Sequence, residues 1–202
     1  MVAPQQFATE AMAEERPKIV VLGDSLVAGY QLPPGYAFPD RLQIALDTAG
    51  IKVEIIGAGV SGDTTSGGLA RLDWSVPPDA AGVLLELGAN DALRGLPVEA
   101  TRDNLEAMIS KLKARNVAVM LIGMRAPPNM GEDFQAAFDG LYPALAKKHD
   151  LPLYPFFLDG VAAQPSLNLG DGMHPNEAGI DVIVEKILPS VLSFVESLIA
   201  KG

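Results

Sequence analysis

The feature of this chain that most restricts its fold is a repeated alternation of short apolar runs with segments of helical periodicity. The apolar runs have no alternating polar positions, which is typical of parallel strands buried on both faces. They are Ile19–Gly23, Val53–Ile56, Gly82–Leu87, Val117–Ile122 and Leu151–Phe156. Helical spacing follows them at Phe38–Ala49, Thr64–Trp74, Val98–Arg115, Asp133–Lys148 and Asn176–Ala200. This alternation predicts an α/β sandwich around a mostly parallel sheet. Pro152 and Pro155 favour an edge position for the fifth strand.

The sequence indicates a single folded unit. A length of 202 residues is ordinary for one domain, and no internal repeat or linker interrupts it. We expect one domain over residues 18–202, preceded by a segment, residues 1–17, that is either a flexible tail or the remnant of a signal region. Within it, Ala11-Met12-Ala13 resembles the small-x-small end of a secretory signal, without the upstream charged and apolar regions. A periplasmic or secreted location and a cytoplasmic one are both compatible with this pattern.

Composition excludes several kinds of chemistry. The absence of cysteine rules out a disulfide scaffold, an iron–sulfur cluster and a cysteine nucleophile, and two histidines leave little room for a multi-histidine metal centre. The net charge of −10 argues against nucleic acid or an anionic membrane surface as partner. The sequence contains no run of 18 or more apolar residues, so we expect no stable insertion into a membrane. We therefore expect neither cofactor nor metal, and the sequence does not indicate an oligomeric state.

Polar, glycine-containing turns follow the predicted strands. Ser25 comes after the first strand, Gly62 after the second and Asn90 after the third, and Asp171 and His174 precede the last helix. The carboxyl ends of parallel strands lie at one edge of the sheet, so these residues are predicted to share one rim. They comprise a nucleophile, a base, an orienting carboxylate and oxyanion donors, as acyl transfer requires. Each alone also fits a turn or a helix cap, and the hypothesis rests on their joint occurrence.

Two other features compete for a functional interpretation. His149 follows two lysines at the end of a predicted helix, where a cap or surface role is expected. The segment Gly57-x-Gly59-x-x-Gly62 matches the dinucleotide-binding fingerprint, with Asp79 and Glu86 about twenty residues further on. A dinucleotide-binding module is therefore the alternative function. Against it, the fingerprint follows the second strand instead of the first, and residues 63–65 look like the true helix start.

The turn motifs resemble those of the SGNH (Gly-Asp-Ser-Leu) hydrolases, particularly a bacterial subgroup of thioesterases, lysophospholipases and arylesterases. The resemblance rests on four blocks and extends over residues 18–200. The blocks are GDSL at 23–26, SGDT at 61–64, ELGAND at 86–91 and DGMHPN at 171–176. It implies a flavodoxin-like, three-layer α/β/α sandwich with a five-stranded parallel sheet.

The resemblance also implies a role for each candidate residue. Ser25 would be the nucleophile, His174 the base and Asp171 its orienting partner, while the Ser25 N–H, the Gly62 N–H and the Asn90 side chain would form the oxyanion hole. The expected reaction is hydrolysis of small-molecule carboxylic esters, and of thioesters, through an acyl-enzyme. Because the subgroup is often exported, the resemblance favours a periplasmic or secreted location.

Two segments are candidates for the acyl-binding wall. The loop at residues 124–134 follows the fourth strand and is either a wall or lid of an acyl pocket or a passive connector. Leu158, Val161 and Leu167 precede the Asp171 turn, where they either contact an acyl chain or pack in the core.

Overall fold

A five-stranded, entirely parallel sheet forms the centre of the structure, which is a computed structural model that describes residues 16–200. The strands are β1 (Lys18–Gly23), β2 (Glu54–Gly59), β3 (Ala80–Glu86), β4 (Ala118–Ile122) and β5 (Leu153–Tyr154). Their order across the sheet is β2-β1-β3-β4-β5. This is the flavodoxin-like order, so the predicted fold class is confirmed.

Seven α-helices lie along the described chain. They are α1 (Ser25–Ala28), α2 (Phe38–Thr48), α3 (Thr65–Ser75), α4 (Ala89–Leu93), α5 (Val98–Ala114), α6 (Glu132–His149) and α7 (Glu177–Ile199). Helix α2 packs against α7, whereas α5 packs against α3 and α6. The long helices therefore form two layers on the two faces of the sheet. Among residues 16–200, none of them has the length and apolar character needed to cross a bilayer.

Side-chain burial distinguishes the central strands of the sheet from the strand at its edge. All side chains from Ile19 to Leu22 in β1 and from Val83 to Leu85 in β3 are completely buried, as expected for strands covered by helices on both faces. β5 has only two residues because Pro152 and Pro155 flank it, and it occupies the predicted edge. Contacts to the sheet begin before β1, since Glu54 N donates to Pro17 O at 3.0 Å. Ala11-Met12-Ala13 lies outside the described residues.

The buried guanidinium of Arg71 joins the carboxyl ends of β1 and β2. It donates to Gly23 O at 2.8 Å and to Ala58 O at 2.9 Å, and it also bonds to Asp63 Oδ2 at 2.5 Å and Ser75 Oγ at 3.1 Å. The side chain of Arg71 is 7 % exposed. Because Arg71 belongs to α3, this one residue connects two strand ends, the turn after β2 and the helix that follows it.

We expect the Arg71→Met substitution to lower the free energy of unfolding by roughly 3–5 kcal/mol, since it removes the largely buried guanidinium donor from the Asp63 carboxylate and the Ala58 carbonyl and leaves Gly23 O with only the Val60 N–H. Urea denaturation followed by far-ultraviolet circular dichroism measures the change.

The matched control is Arg102→Met, which removes the same group from a surface pair with Asp103 whose side chains are 47 % and 65 % exposed. This change should stay within about 0.5 kcal/mol of the parent protein. Equal effects of the two substitutions would contradict a special role for Arg71.

Candidate active site

The turn after β1 holds Ser25 at the first position of α1. Asp24 caps this helix, and its Oδ1 accepts the Leu26 N–H at 2.9 Å. The turn is too tight for a side chain at Gly23, because a Cβ there would lie 2.3 Å from Val27 Cγ2 and 2.6 Å from Glu86 Oε2. Sequence and packing together therefore place the Ser25 hydroxyl at the carboxyl edge of the sheet, between the oppositely directed crossovers from β1 and β3.

The loop before α7 holds His174. The buried Asn168 side chain donates to Val161 O and Gln164 O, both at 2.8 Å, and Leu169 N donates to His174 O at 2.7 Å. Asn176 then caps α7 by accepting the Gly179 N–H at 3.0 Å. The loop is thus fixed at both ends by hydrogen bonds, with His174 between them.

A chain of two hydrogen bonds connects Asp171, His174 and Ser25. Asp171 Oδ2 lies 2.7 Å from His174 Nδ1, and His174 Nε2 lies 2.9 Å from Ser25 Oγ. Asp171 Oδ1 accepts the backbone N–H groups of Met173 and His174 at 2.9 and 3.0 Å. These donors, with the His174 side chain, lower the pKa of Asp171 to about 2. The carboxylate is therefore ionised throughout the neutral range.

An aromatic ring covers the imidazole. The Tyr30 and His174 ring centroids are 4.5 Å apart with an interplanar angle of 37°. Tyr30 lies directly beyond α1, where its N–H donates to Ser25 O at 3.2 Å and Gly29 adopts a positive φ of 70°. The short helix that carries Ser25 therefore also places the ring on His174.

The predicted oxyanion donors lie on two neighbouring turns. Asn90, in α4, donates from Nδ2 to Asp24 Oδ2 at 3.0 Å. Gly62 occupies the third position of a turn closed by Asp63 N donating to Val60 O at 3.1 Å, and its φ of 82° is what a type II turn requires there. Arg94 connects the two turns, since its N–H donates to Asn90 O at 3.1 Å and its guanidinium to Gly62 O at 2.7 Å.

A cavity of about 470 Å³ opens beside the Ser25 hydroxyl. Ser25, Asn90 and His174 line it, whereas Gly62 lies in the adjacent turn outside its lining. The wall is mainly apolar. Its apolar members include Leu26, Leu93, Met124, Pro127, Phe156, Leu158 and Met173.

The two segments proposed as an acyl-binding wall contribute unequally. Residues 124–128 of the first loop line the cavity. Leu158 of the second segment also does so, but Val161 is fully buried in the core and Leu167 packs against the core instead. The aliphatic pattern alone did not distinguish these three residues, because all are apolar and lie in one irregular segment.

Two buried carboxyl groups lie beneath Ser25. Burial raises the pKa of Asp24 to about 6, although the N–H groups of Leu26 and Asn90 oppose this shift. Burial, and then the charge of Asp24, raise the pKa of Glu86 well above its ordinary value. Asp24 N lies 3.5 Å from Glu86 Oε2, so the two groups form one buried acidic unit under the nucleophile turn.

The remaining sequence candidates lie outside this site. His149 ends α6, and its side chain is only 15 % exposed, with Nε2 3.4 Å from Glu106 Oε1. The His149 side chain is therefore more buried, against Glu106 of α5, than the expected cap or surface role implies. Gly57 and Gly59 of the dinucleotide fingerprint belong to β2, and a Cβ on Gly59 would lie 2.3 Å from Ala28 N. Helix α3 begins only after Thr64, whose hydroxyl accepts the Gly67 N–H, as the sequence predicted.

Sequence reasoning missed three contributors to the site. Glu86 was considered as a fingerprint acid and as part of the block at 86–91, Arg125 lay in the candidate loop at 124–134 without a role of its own, and Tyr30 was assigned no role. Their roles arise from contacts between segments far apart in sequence. The exception is Tyr30, whose distance of five residues from Ser25 on a one-turn helix was a usable signal.

This chain is similar to proteins named as esterases and thioesterases. The model of the GDSL-like lipase/acylhydrolase family matches residues 21–182. An arylesterase of Vibrio mimicus is 42 % identical over 172 residues, covering 84 % of this chain and 85 % of that protein. Thioesterase 1/protease 1/lysophospholipase L1 of Escherichia coli K12 is 40 % identical over 159 residues, covering 78 % and 75 %. The crystal structure of AlinE4, an SGNH-hydrolase family esterase, has a TM-score of 0.75 at 44 % identity, covering 91 % and 98 %.

The low pKa of Asp171 predicts a pH-dependent contribution to folding. Its pKa falls from 3.8 to about 2 in the folded chain, so the ionised carboxyl stabilises the fold above about pH 4, and this contribution is lost as the pH falls through 2. We expect Asp171→Asn to lower the free energy of unfolding at pH 6, and the difference from the parent protein to shrink towards pH 2.

Urea denaturation at pH 6, 4 and 2.5 measures this difference. Glu196→Gln, at an exposed position near the end of α7, serves as the control that removes a carboxylate elsewhere. A difference for Asp171→Asn that stays constant across the three pH values would refute the prediction.

Proposed function

Because this chain belongs to the GDSL-like lipase/acylhydrolase family and is a serine-dependent ester hydrolase, we propose that Ser25 is its nucleophile, His174 its general base and Asp171 the residue that orients the imidazole. The observation that carries the proposal is the pair of hydrogen bonds, 2.7 and 2.9 Å long, that joins the three side chains in this order. A serine nucleophile needs an adjacent base, and the base needs a third group to fix its tautomer.

The first half of the reaction forms an acyl-enzyme. His174 Nε2 takes the Ser25 hydroxyl proton while Oγ attacks the acyl carbon, and the Asp171 carboxylate stabilises the imidazolium that results. Collapse of the tetrahedral intermediate breaks the bond to the leaving group, which receives the proton from His174. Water then attacks the acyl-enzyme with His174 as base again, releasing the carboxylic acid and regenerating Ser25.

Three donors are proposed for the oxyanion. Ser25 is the first residue of α1, so its N–H has no partner within the helix. Asn90 Nδ2 carries two hydrogens, and the bond to Asp24 uses one of them. The Gly62 N–H is the third donor, in a turn that Arg94 ties to the residue that bears the second. Such donors stabilise the transition state most when they are fixed beforehand.

The apolar cavity supports a hydrocarbon acyl group as the part of the substrate that it binds. Leu26, Met124 and Leu158 would contact such a chain and remove it from water. The substrates are small-molecule esters, and we extend the proposal to thioesters, which pass through the same acyl-enzyme. We also propose a periplasmic or secreted place of action, which the small-x-small pattern of Ala11-Met12-Ala13 supports.

We expect Ser25→Ala to abolish both covalent labelling by a fluorophosphonate and hydrolysis of p-nitrophenyl butyrate, with an unchanged far-ultraviolet spectrum. Intact-protein mass spectrometry measures the labelling. Ser110→Ala, which removes an exposed hydroxyl on α5, is the matched control and should label fully.

The two histidines provide a second comparison within the same assays. His174→Ala should lose hydrolysis together with labelling, whereas His149→Ala should retain both, because His149 ends α6 and faces Glu106 of α5, outside the cavity lining. Labelling of Ser25→Ala at the parent rate would overturn the nucleophile assignment.

We expect Asn90→Ala to lower kcat by about 10²–10³-fold, the usual cost of losing one oxyanion donor, with a much smaller change in KM. Steady-state kinetics with p-nitrophenyl butyrate measure both constants. Asn129→Ala removes an exposed amide from the loop after β4 and should change neither constant by more than about twofold. A loss confined to KM would indicate that Asn90 binds the ground state instead.

A further inference from the structure

One arginine differs from all the others in how its guanidinium is used. The sequence contains seven arginines, and all of them lie in residues 16–200. Six donate hydrogen bonds to carboxylates or carbonyl oxygens, as is expected in a chain with 25 acidic residues. They are Arg16, Arg41, Arg71, Arg94, Arg102 and Arg115. The guanidinium of Arg125 forms no hydrogen bond or ion pair with any residue from 16 to 200.

Arg125 lies in the wall of the cavity that contains Ser25 and His174. Its Cζ lies 4.9 Å from the ring centroid of Phe156, another wall residue, so the guanidinium stacks on an aromatic face. The guanidinium N–H groups therefore have no acceptor within residues 16–200, and the contact with the Phe156 ring limits the positions they can take. Asp159 is paired with Lys186 Nζ at 2.9 Å. This bond is the main cause that lowers the pKa of Asp159, and the charge of Arg125 contributes less.

The backbone around Arg125 is anchored. Ala126 N donates to Asp139 Oδ1 of α6 at 2.8 Å, and Gln135 Nε2 donates to Pro128 O at 2.8 Å. On the opposite side of the residue, Gly123 N donates to Tyr154 O at 2.8 Å. The segment is thus held by β5 and α6, and its guanidinium is presented on a fixed support.

We propose that Arg125 binds an anionic group of the substrate, so that the enzyme prefers esters whose unreactive part carries a phosphate or a carboxylate. This inference rests on the proposed function, because the cavity must be the one in which Ser25 attacks the ester. A guanidinium presents planar pairs of donors that match phosphate and carboxylate oxygens. Arg125 is exposed at this wall, so the contact relies on paired, charge-assisted hydrogen bonds and not on burial.

The location of Arg125 also has an electrostatic reason. The chain carries a net charge of −10, and Asp24 and Asp171 flank the reacting group. An anionic substrate would be repelled by this surface unless a cation met it at the cavity. Arg125 is the one Lys or Arg side chain among the cavity-lining residues within 16–200, and it can supply that attraction.

Two matched substrate pairs test the proposal. The first is 1-hexanoylglycerol 3-phosphate against 1-hexanoylglycerol, which places the anion on the alcohol side of the same scissile bond. The second is the p-nitrophenyl monoester of glutaric acid against p-nitrophenyl butyrate, which places it on the acyl side. The enzymes are the parent protein, Arg125→Gln, Arg125→Lys and the control Arg102→Gln, whose guanidinium bonds to Asp103 on the exposed surface.

For at least one pair, we expect Arg125→Gln to lower kcat/KM for the charged member by about 10- to 100-fold, mainly through KM, as loss of a charge-assisted hydrogen bond does. The neutral member should change by less than about twofold, Arg125→Lys should recover part of the loss, and Arg102→Gln should behave as the parent. A loss in the phosphate pair assigns the anion to the alcohol side, and a loss in the glutarate pair assigns it to the acyl side.

The inference is overturned if Arg125→Gln affects the charged and neutral members of both pairs equally, or affects neither. The proposed function is tested separately, since it fails if the parent protein hydrolyses none of the neutral esters or if Ser25→Ala still hydrolyses them. Because the Arg125 guanidinium makes no hydrogen bond within the described chain, Arg125→Gln should melt within a few degrees of the parent, so its kinetics report on binding and not on folding.

Discussion

The geometry of the whole rim depends on one requirement, that the last carbonyls of β1 and β2 find hydrogen-bond donors after the chain turns away from the sheet. A buried carbonyl without a donor is costly, and the turn after β2 supplies one backbone donor, since Val60 N donates to Gly23 O at 3.1 Å. From α3, Arg71 adds a second donor to Gly23 O and also donates to Ala58 O. Because the same guanidinium also bonds to Asp63, it fixes the Gly62 turn relative to the end of the strand that leads to Ser25. The position of the proposed nucleophile relative to one proposed oxyanion donor is therefore set by a residue that touches neither.

A second polar cluster holds the other half of the rim. The Asp91 carboxylate accepts hydrogen bonds from the Thr65 N–H at 2.8 Å, from the Thr65 hydroxyl at 2.5 Å and from the Thr101 hydroxyl at 3.2 Å. Since Asp91 follows Asn90 in α4, the cluster fixes the proposed donor amide against the starts of α3 and α5. Buried, fully hydrogen-bonded groups of this kind specify one arrangement of the elements around them. Arg71 and Asp91 both anchor α3, so this helix links the turns after β1, β2 and β3.

The existence and order of the strands and long helices could be predicted from the sequence, because apolar runs and helical spacing are local properties of the chain. The sequence-based prediction placed β2 too early, at Val53–Ile56, because Gly57 and Gly59 look like a turn; they are in fact strand residues that allow α1 and α2 to approach closely. Helix α4 was not predicted, and Ser25 was expected to open either a helix or a turn, since four or five residues cannot show a helical period. The strand-end argument brought Ser25, Asn90 and His174 to one rim, and the structure does place all three around one cavity. The unpaired state of Arg125 depends on the positions of other segments, which no local pattern encodes, whereas the contact of Tyr30 with His174 has a local signal in its spacing from Ser25.

The three carboxyl groups near the proposed nucleophile show why only one of them suits the role proposed for Asp171. The side chain of Asp171 is 31 % exposed and accepts three hydrogen bonds. Its pKa of about 2 keeps the carboxylate charged throughout the neutral range. Asp24 and Glu86 are buried, and their pKa values are raised by desolvation. A buried acid with a raised pKa stabilises a neighbouring cation poorly, because it gives up its own charge at little cost. The backbone of the Asp171 turn, which donates two N–H groups to the carboxylate, thus separates the acid that can stabilise an imidazolium from the acids that shape the turn beneath Ser25.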